Sequence, residues 1–379
     1  MRPRSRSPRR GWGSRCALVA VALLSAASAR AGEVVRIALA VDAARVTLSG
    51  AGLTMTPLAE QADRVKLEGE RAEVVVAGDA VVVNGAALEA AGATFTAEGP
   101  LRTSATPIAL EEGEVEVRRA AGGLQVVHTL PLEDYVAAVV GAEMPLAFPP
   151  EALKAQAVAT RTFAVYKKLE AVAEGRGWHL GATVLDQVYR GTRVDPRARA
   201  AALATEGEVL VYDHAPIAAY FHSTCGGRTE RGADALGRDL PYLVSVPCTR
   251  CRESPRYRWE VKVSAEELGR AAGLPGPAVG ASVASRTASG RAARVAILGA
   301  GRRVMLSAVD LRQRLGYDRL PSLAFEVSLG GGEALFRGRG AGHGAGLCQW
   351  GAAGAARTGE SYRQILAYYY RGTELIRMY

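Results

Sequence analysis

The sequence predicts an α+β protein: a mixed α/β core with a β-rich subdomain and an N-terminal β-rich domain. Three observations carry that expectation. From Val34 to about Gln125, short apolar alternations are separated by turn signals. From Leu130 two helical periodicities follow. From about Arg252 to Leu329 strand patterns return, and a glycine-rich loop with two short helices then ends the chain. The expected boundaries are a leader at 1–31, the N-terminal domain at 32–127, the core at 128–251 with 330–379, and the subdomain at 252–329.

The leader reads MRPRSRSPRRGWGSR, then an apolar run from Cys16 to Leu24, then SAASARAG with cleavage expected after Ala31. That is the pattern of a secretory signal peptide, so export to the periplasm or cell envelope is expected. Its apolar run falls short of the roughly 20 residues a span needs, and no integral membrane span is expected. Cys16 opens the run and is not at the cleavage point, which argues against a lipoprotein anchor. Arg9 and Arg10 give only weak support to a twin-arginine route. The leader holds seven of the 47 basic residues and no acid, leaving 40 basic against 38 acidic residues. A chain so nearly balanced gives no electrostatic case for nucleic acid as a partner. The remaining length exceeds what one core usually organises, hence several domains.

In the N-terminal part, VVRIALAV, RVTLSGAG, AEVVVAGDAVVVNGAAL and GEVEVRRAAGGLQVVH read as strands, with Asn84 and Gly85 marking a hairpin. In LPLEDYVAAVVGAEMP, residues 130–145, Val136, Val139, Val140 and Glu143 fall at i, i+3, i+4 and i+7. Glu143 thus lies on an apolar stripe, where a low-dielectric surface raises a carboxyl pKa and prepares a general acid. The alternative is that Glu143 turns to water, because Pro145 stops the helix just after it. The next helix, PPEALKAQAVATRTFAVYKKLEAV, starts with Pro149 and Pro150 before an acid, Glu151, in its first turn. In the subdomain, SAEELGRAAG and SAVDLRQRLG read as helices, and SGRAARVAILGAGRRVMLS as a hairpin.

Two clusters carry further chemistry. YFHSTCGGRTE followed by VPCTRC places His222, Cys225, Cys248 and Cys251 as H-x2-C, 22 residues, C-x2-C. Three thiols and an imidazole at that spacing can close a tetrahedral zinc site. An exported chain can instead form a disulfide from Cys225 to Cys248 or Cys251. PCTRC resembles half of the zinc deaminase motif, but Thr224 stands where that chemistry needs a glutamate. The second cluster, GRGAGHGAGLCQWGAAG at 338–354, combines close-approach glycines with His343, Gln349 and Trp350. It lacks the lysine of a phosphate loop. Cys348 within it has no identifiable base to make it a nucleophile.

These segments, in this order, resemble the SpoIID (stage II sporulation protein D) and amidase-enhancer family of peptidoglycan lytic transglycosylases. The likeness rests on LPLEDYVAAVVGAEMP, ALKAQAVATRTFAVY, FHSTCGGRTE, PYLVSVPC, the SGR and RQRLG segments, GRGAGHGAGLCQWGAAGAA and ILAYYYRGTEL, covering about 128–379. It implies that Glu143 is the catalytic acid and base, cutting between N-acetylmuramic acid and N-acetylglucosamine in peptide-free glycan to leave 1,6-anhydro ends. It implies a substrate groove lined by Gln156, Arg161, His222, Ser223, Thr224, Gly226, Gly227, His343 and Gln349. Arg161 would pair with the muramoyl lactyl carboxylate, or else form a structural ion pair with a loop acid. Glu133 and Asp134 are left to cap the helix start. The resemblance also favours zinc at His222 and Cys225, and a cell-wall amidase as partner. The contrary expectation is a glycan-binding protein that stimulates an amidase and does no chemistry itself. Leu347 and Cys348 depart from the Met and Ser that many relatives carry.

Overall fold

The computed structural model describes residues 33–182, 187–189, 191 and 194–379; the expected signal peptide lies outside them. Residues Glu33–Tyr379 form one compact unit. The mixed α+β class holds, with antiparallel sheets dominating.

The first strand, Val34–Ala43, pairs antiparallel with Gly123–Pro131 and parallel with Leu180–Gly181, inside a seven-stranded sheet. A six-stranded sheet is built around Arg45–Ser49 and Arg71–Ala77. The expected hairpin at Asn84 and Gly85 is present, with φ of 48° and 84°, the left-handed pair that a two-residue turn between twisted strands requires.

The strand Gly123–Pro131 runs directly into helix α1, Leu132–Glu143. Pro131 lacks an N–H, and Glu133 and Asp134 in the first turn complement the helix dipole. Helix α2, Pro150–Ala173, buries residues on most of its faces and packs against α1, against α3 (Pro196–Ala204), and against the last two helices. Such all-round burial marks α2 as the central element of the helical layer. After α4, Gly232–Leu236, the chain enters the subdomain. Phe95, Leu124, Val136, Val158, Ala352 and Ile365 all belong to one hydrophobic core, so both large sheets and the helical layer share it.

A second core lies within residues 259–336. One of its sheets joins Trp259–Ser264, Glu333–Gly338 and Phe325–Gly330; the other joins Gly280–Arg286, Ala292–Gly299 and Arg302–Ser307. Helices α5 (Ala265–Ala271) and α6 (Ala308–Leu315) start at Ser264 and Ser307, whose hydroxyls accept from Glu267 and Asp310 N–H groups. Gly330 pairs with Glu333 in a hairpin, so the chain leaves this sheet only after Gly338. Helices α7 (Gln349–Arg357) and α8 (Tyr362–Tyr369) follow, α8 opened by a Ser361/Gln364 capping box. Among the described residues, no helix is long and apolar enough to cross a membrane.

Candidate functional site

The stripe read from the sequence is real. Val136, Val139 and Val140 have no exposure, and Glu143 closes α1 half-buried before Met144 turns to extended backbone. Glu143 Oε1 accepts the Val188 N–H at 2.8 Å. That donor is fixed from both sides. The Tyr135 hydroxyl donates to Gln187 Oε1 at 2.7 Å, and the Tyr189 hydroxyl donates to His128 Nδ1 at 3.0 Å, while His128 Nε2–H donates to Glu112 O. Tyr135 and Tyr189 stack with centroids 5.8 Å apart. Burial lowers the His128 pKa to about 4, keeping it neutral and able to accept from Tyr189.

The turn after Glu143 brings Phe148 edge-on to Trp350 of α7, with centroids 4.8 Å apart. Behind it, Gln349 Nε2–H donates to Gln156 Oε1 at 3.2 Å, and Gln156 Nε2–H donates to Thr160 at 3.1 Å. Both glutamines are buried, so α2 and the end of the glycine loop are locked by a side-chain amide pair. Arg161 corrects the expectation of a substrate contact. Its side chain has no exposure: Nε and Nη2 form a fork on Glu133 at 2.7 and 2.5 Å. The remaining donors go to Thr205 Oγ1, Glu208 O and Ala202 O. Glu133, expected only to cap α1, is the counter-ion; Asp134 pairs with Arg199.

The two motif loops meet through a short parallel pairing of Phe221–His222 with Leu347–Cys348. Gly346, at φ 70°, sits there because a Cβ would fall 2.0 Å from Tyr220 O. His343 Nε2–H donates to Phe221 O at 2.8 Å and its Nδ1 accepts from Ala345 N–H at 3.1 Å. His222 Nδ1–H donates to Ala345 O at 3.0 Å, and the two imidazoles stand 5.6 Å apart, edge to face. Burial depresses both, His343 to about 4 and His222 well below its usual value, so both are neutral near pH 7. His222 Nε2 is buried with no hydrogen-bond partner among the described residues. Thr224 is buried, shares a hydrogen bond with Ser254 at 2.6 Å and bridges to Ala341. Ser223 keeps partial exposure and its carbonyl accepts from Trp350 N–H. Gly226 and Gly227 both have left-handed φ, and a Cβ on Gly226 would meet Arg339 backbone at 2.9 Å.

The cysteines converge, but not as the spacing suggested. Cys225, Cys248, Cys251 and Cys348 place all four sulfurs within 4.8 Å of one another, all buried and all free thiols. Cys348 thus replaces His222 in the expected ligand set, because the strand pairing carries it to Cys225 across 123 residues of sequence. A tetrahedral ion with Zn–S of about 2.3 Å spaces its sulfurs about 3.8 Å apart. The Cys225 and Cys251 sulfurs are 3.4 Å apart, so the set can close on a metal with little movement. Supporting donors are in place. Cys348 Sγ accepts from Cys225 N–H and from Gly351 N–H as the N-cap of α7, and the Tyr369 hydroxyl lies 3.1 Å from Cys248 Sγ. The four cannot all ionise alone. Donation from Cys225 and Cys248 draws Cys251 down, while Cys225 is pushed up by its hydrogen bonds to Cys248 and then Cys251, and Cys348 by burial.

Comparison with known proteins supplies the affiliation. The sequence model of SpoIID, described as Stage II sporulation protein, matches residues 120–212, which hold α1 and α2. The chain is 35% identical to Stage II sporulation protein D of Bacillus subtilis (strain 168) over 267 residues, covering 66% of this chain and 76% of that protein. It is 32% identical to Stage II sporulation protein D of Bacillus amyloliquefaciens over 289 residues, 72% of this chain and 82% of the other. It is 27% identical to the Amidase enhancer of B. subtilis, covering 62% of this chain and 39% of that one. With the AEMP-bearing helix and the two joined loops in place, the chain belongs to the SpoIID family.

Proposed function

We propose that the protein is an exported lytic transglycosylase that cleaves the N-acetylmuramic acid to N-acetylglucosamine bond in peptide-free glycan. The observation that carries this reading is Glu143, half-open at the end of α1, with its carboxyl oriented by an anchored backbone N–H. Glu143 gives its proton to the glycosidic oxygen as the C1–O bond breaks. The resulting carboxylate then takes the proton of the sugar's own 6-hydroxyl as O6 bonds to C1, leaving a 1,6-anhydro end with no water consumed. Glycosidases that use water or a covalent intermediate need a second carboxylate. An intramolecular hydroxyl removes that need, and holding the ring supplies much of the rate.

A zinc ion on Cys225, Cys248, Cys251 and Cys348 fits the donor set. When bound it supplies folding energy, because four thiolates leave no open position for substrate. The four residues fix the loop junction that carries Ser223, Gln349 and Trp350.

The similarity to an amidase enhancer favours a second reading, a glycan-binding protein that stimulates a cell-wall amidase. One experiment separates them. The mature protein and its Glu143→Gln variant are incubated with amidase-treated glycan, and anhydro ends are sought by mass spectrometry. Product from the unmodified protein alone supports the enzyme; none from either leaves the binder.

A further inference from the structure

We propose that an arginine-lined cleft between the cysteine loop and the subdomain reads the free lactyl carboxylates of peptide-free glycan. This rests on the transglycosylase reading above. The cleft encloses about 1000 Å³ and lies between residues 225–228 and the strands that begin at Trp259 and end at Gly338. Its lining holds six arginines and two glutamates. Both glutamates are already taken, Glu260 by Arg337 at 2.9 Å and Glu326 by Arg286 at 2.5 Å. Arg228, Arg258 and Arg339 are exposed and have no carboxylate partner among the described residues. Several guanidiniums converging on one concave surface without counter-ions form a site for an anion.

The sixth arginine ties this cleft to the rest of the site. Arg291 is 3% exposed and donates to Cys225 O at 2.8 Å, Arg228 O at 3.0 Å and Ser289 Oγ at 3.1 Å. Ser289 in turn donates to the buried Glu230 carboxylate at 2.7 Å. A Cβ on Gly344 would meet the Arg291 guanidinium at 2.7 Å, so the glycine loop lies on the same group. Arg291 therefore positions the cleft wall against both motif loops.

The ligand chemistry follows from the substrate. In peptide-bearing glycan each muramoyl lactyl group is an amide and carries no charge. Removing the stem peptide uncovers one carboxylate per disaccharide, at regular spacing along an extended chain. Free guanidiniums distinguish these two states by charge, and a fork contact with a carboxylate is among the strongest hydrogen-bonded pairs. Arg161, whose donors are spent on Glu133, cannot play that part.

The test compares peptide-free glycan with the same glycan after its carboxylates are converted to methylamides. With the Glu143→Gln protein, calorimetry should show the free acid binding at least about tenfold more tightly. Adding Arg258→Ala and Arg339→Ala should abolish that difference; Arg258→Lys with Arg339→Lys should restore part of it. Thermal unfolding checks that both double variants fold. Equal binding of acid and methylamide, which needs no arginine variant, overturns the inference, as does discrimination surviving the double alanine variant. Anhydro ends from both glycans at equal rate would overturn the inference and leave the transglycosylase standing. Discrimination without anhydro ends would overturn the transglycosylase and leave carboxylate recognition to a glycan binder.

Discussion

Four sulfurs from three stretches of chain meet with almost no exposed surface, whereas Glu143 stands half-buried at the end of α1 and takes the Val188 N–H, 45 residues further along the chain. In the cluster, backbone N–H groups, a tyrosine hydroxyl and a helix N-terminus all serve sulfur. At Glu143 the anchored Val188 N–H holds one oxygen of a carboxyl whose side chain keeps partial exposure. The difference separates two jobs. A closed, fully furnished set of ligands resists change and holds loops together; a partly open carboxyl can gain and lose a proton.

The comparison breaks if the wrong half carries the chemistry. Glu143→Gln should lower the yield of anhydro ends about a hundred- to ten-thousand-fold, measured by chromatography of digests, with thermal stability unchanged. Stripping metal should do the reverse: at a thousandfold ligand excess, bound zinc adds about 4 kcal/mol, so chelation should lower Tm by several degrees in calorimetry. Elemental analysis should find one zinc per chain. Breaking the Arg161 fork with Glu133→Ala leaves a buried guanidinium without its counter-ion and should cost about 3–5 kcal/mol by denaturant titration, while KM for glycan stays constant. Gly351→Ala sharpens the boundary between the halves. Its Cβ would fall 2.1 Å from Tyr369 Oη and 2.6 Å from Cys248 Sγ, so about 1–3 kcal/mol should be lost together with zinc affinity.

A further effect concerns acid. His128 is held neutral in the fold with a pKa lowered to about 4, against 6.5 when unfolded. As pH falls from about 6.5 toward 4, the unfolded chain takes up the proton first, so stability is lost over that window and is fully present above it. His128→Gln should flatten the corresponding part of a Tm-against-pH curve.

Local pattern was legible. The α1 stripe, the Asn84 hairpin, the Ser264 and Ser307 helix starts and the two C-terminal helices all follow from spacing and caps within one element. What escaped depended on contact across the chain. Nothing in the spacing of Cys348 announces that two paired residues will lay it beside Cys225, and an isolated His222 three positions before a cysteine imitates a ligand. Arg161 was ambiguous for the same reason: only the packing of α1 on α2 delivers Glu133 to it. The half-burial of Glu143 depends on where a helix end lies in the fold, which periodicity does not reveal.

Trp259 and Gly338 are partners in one sheet, so the chain departs for the subdomain and comes back at the same place. Everything in between is a cassette on adjacent stems, with a core of its own. Such an arrangement can be shortened, enlarged or exchanged without rerouting the backbone around it. The three cleft arginines without a carboxylate partner, Arg228, Arg258 and Arg339, stand on the frame outside the cassette, so its loops can diversify while those three and the helix that carries Glu143 keep their places.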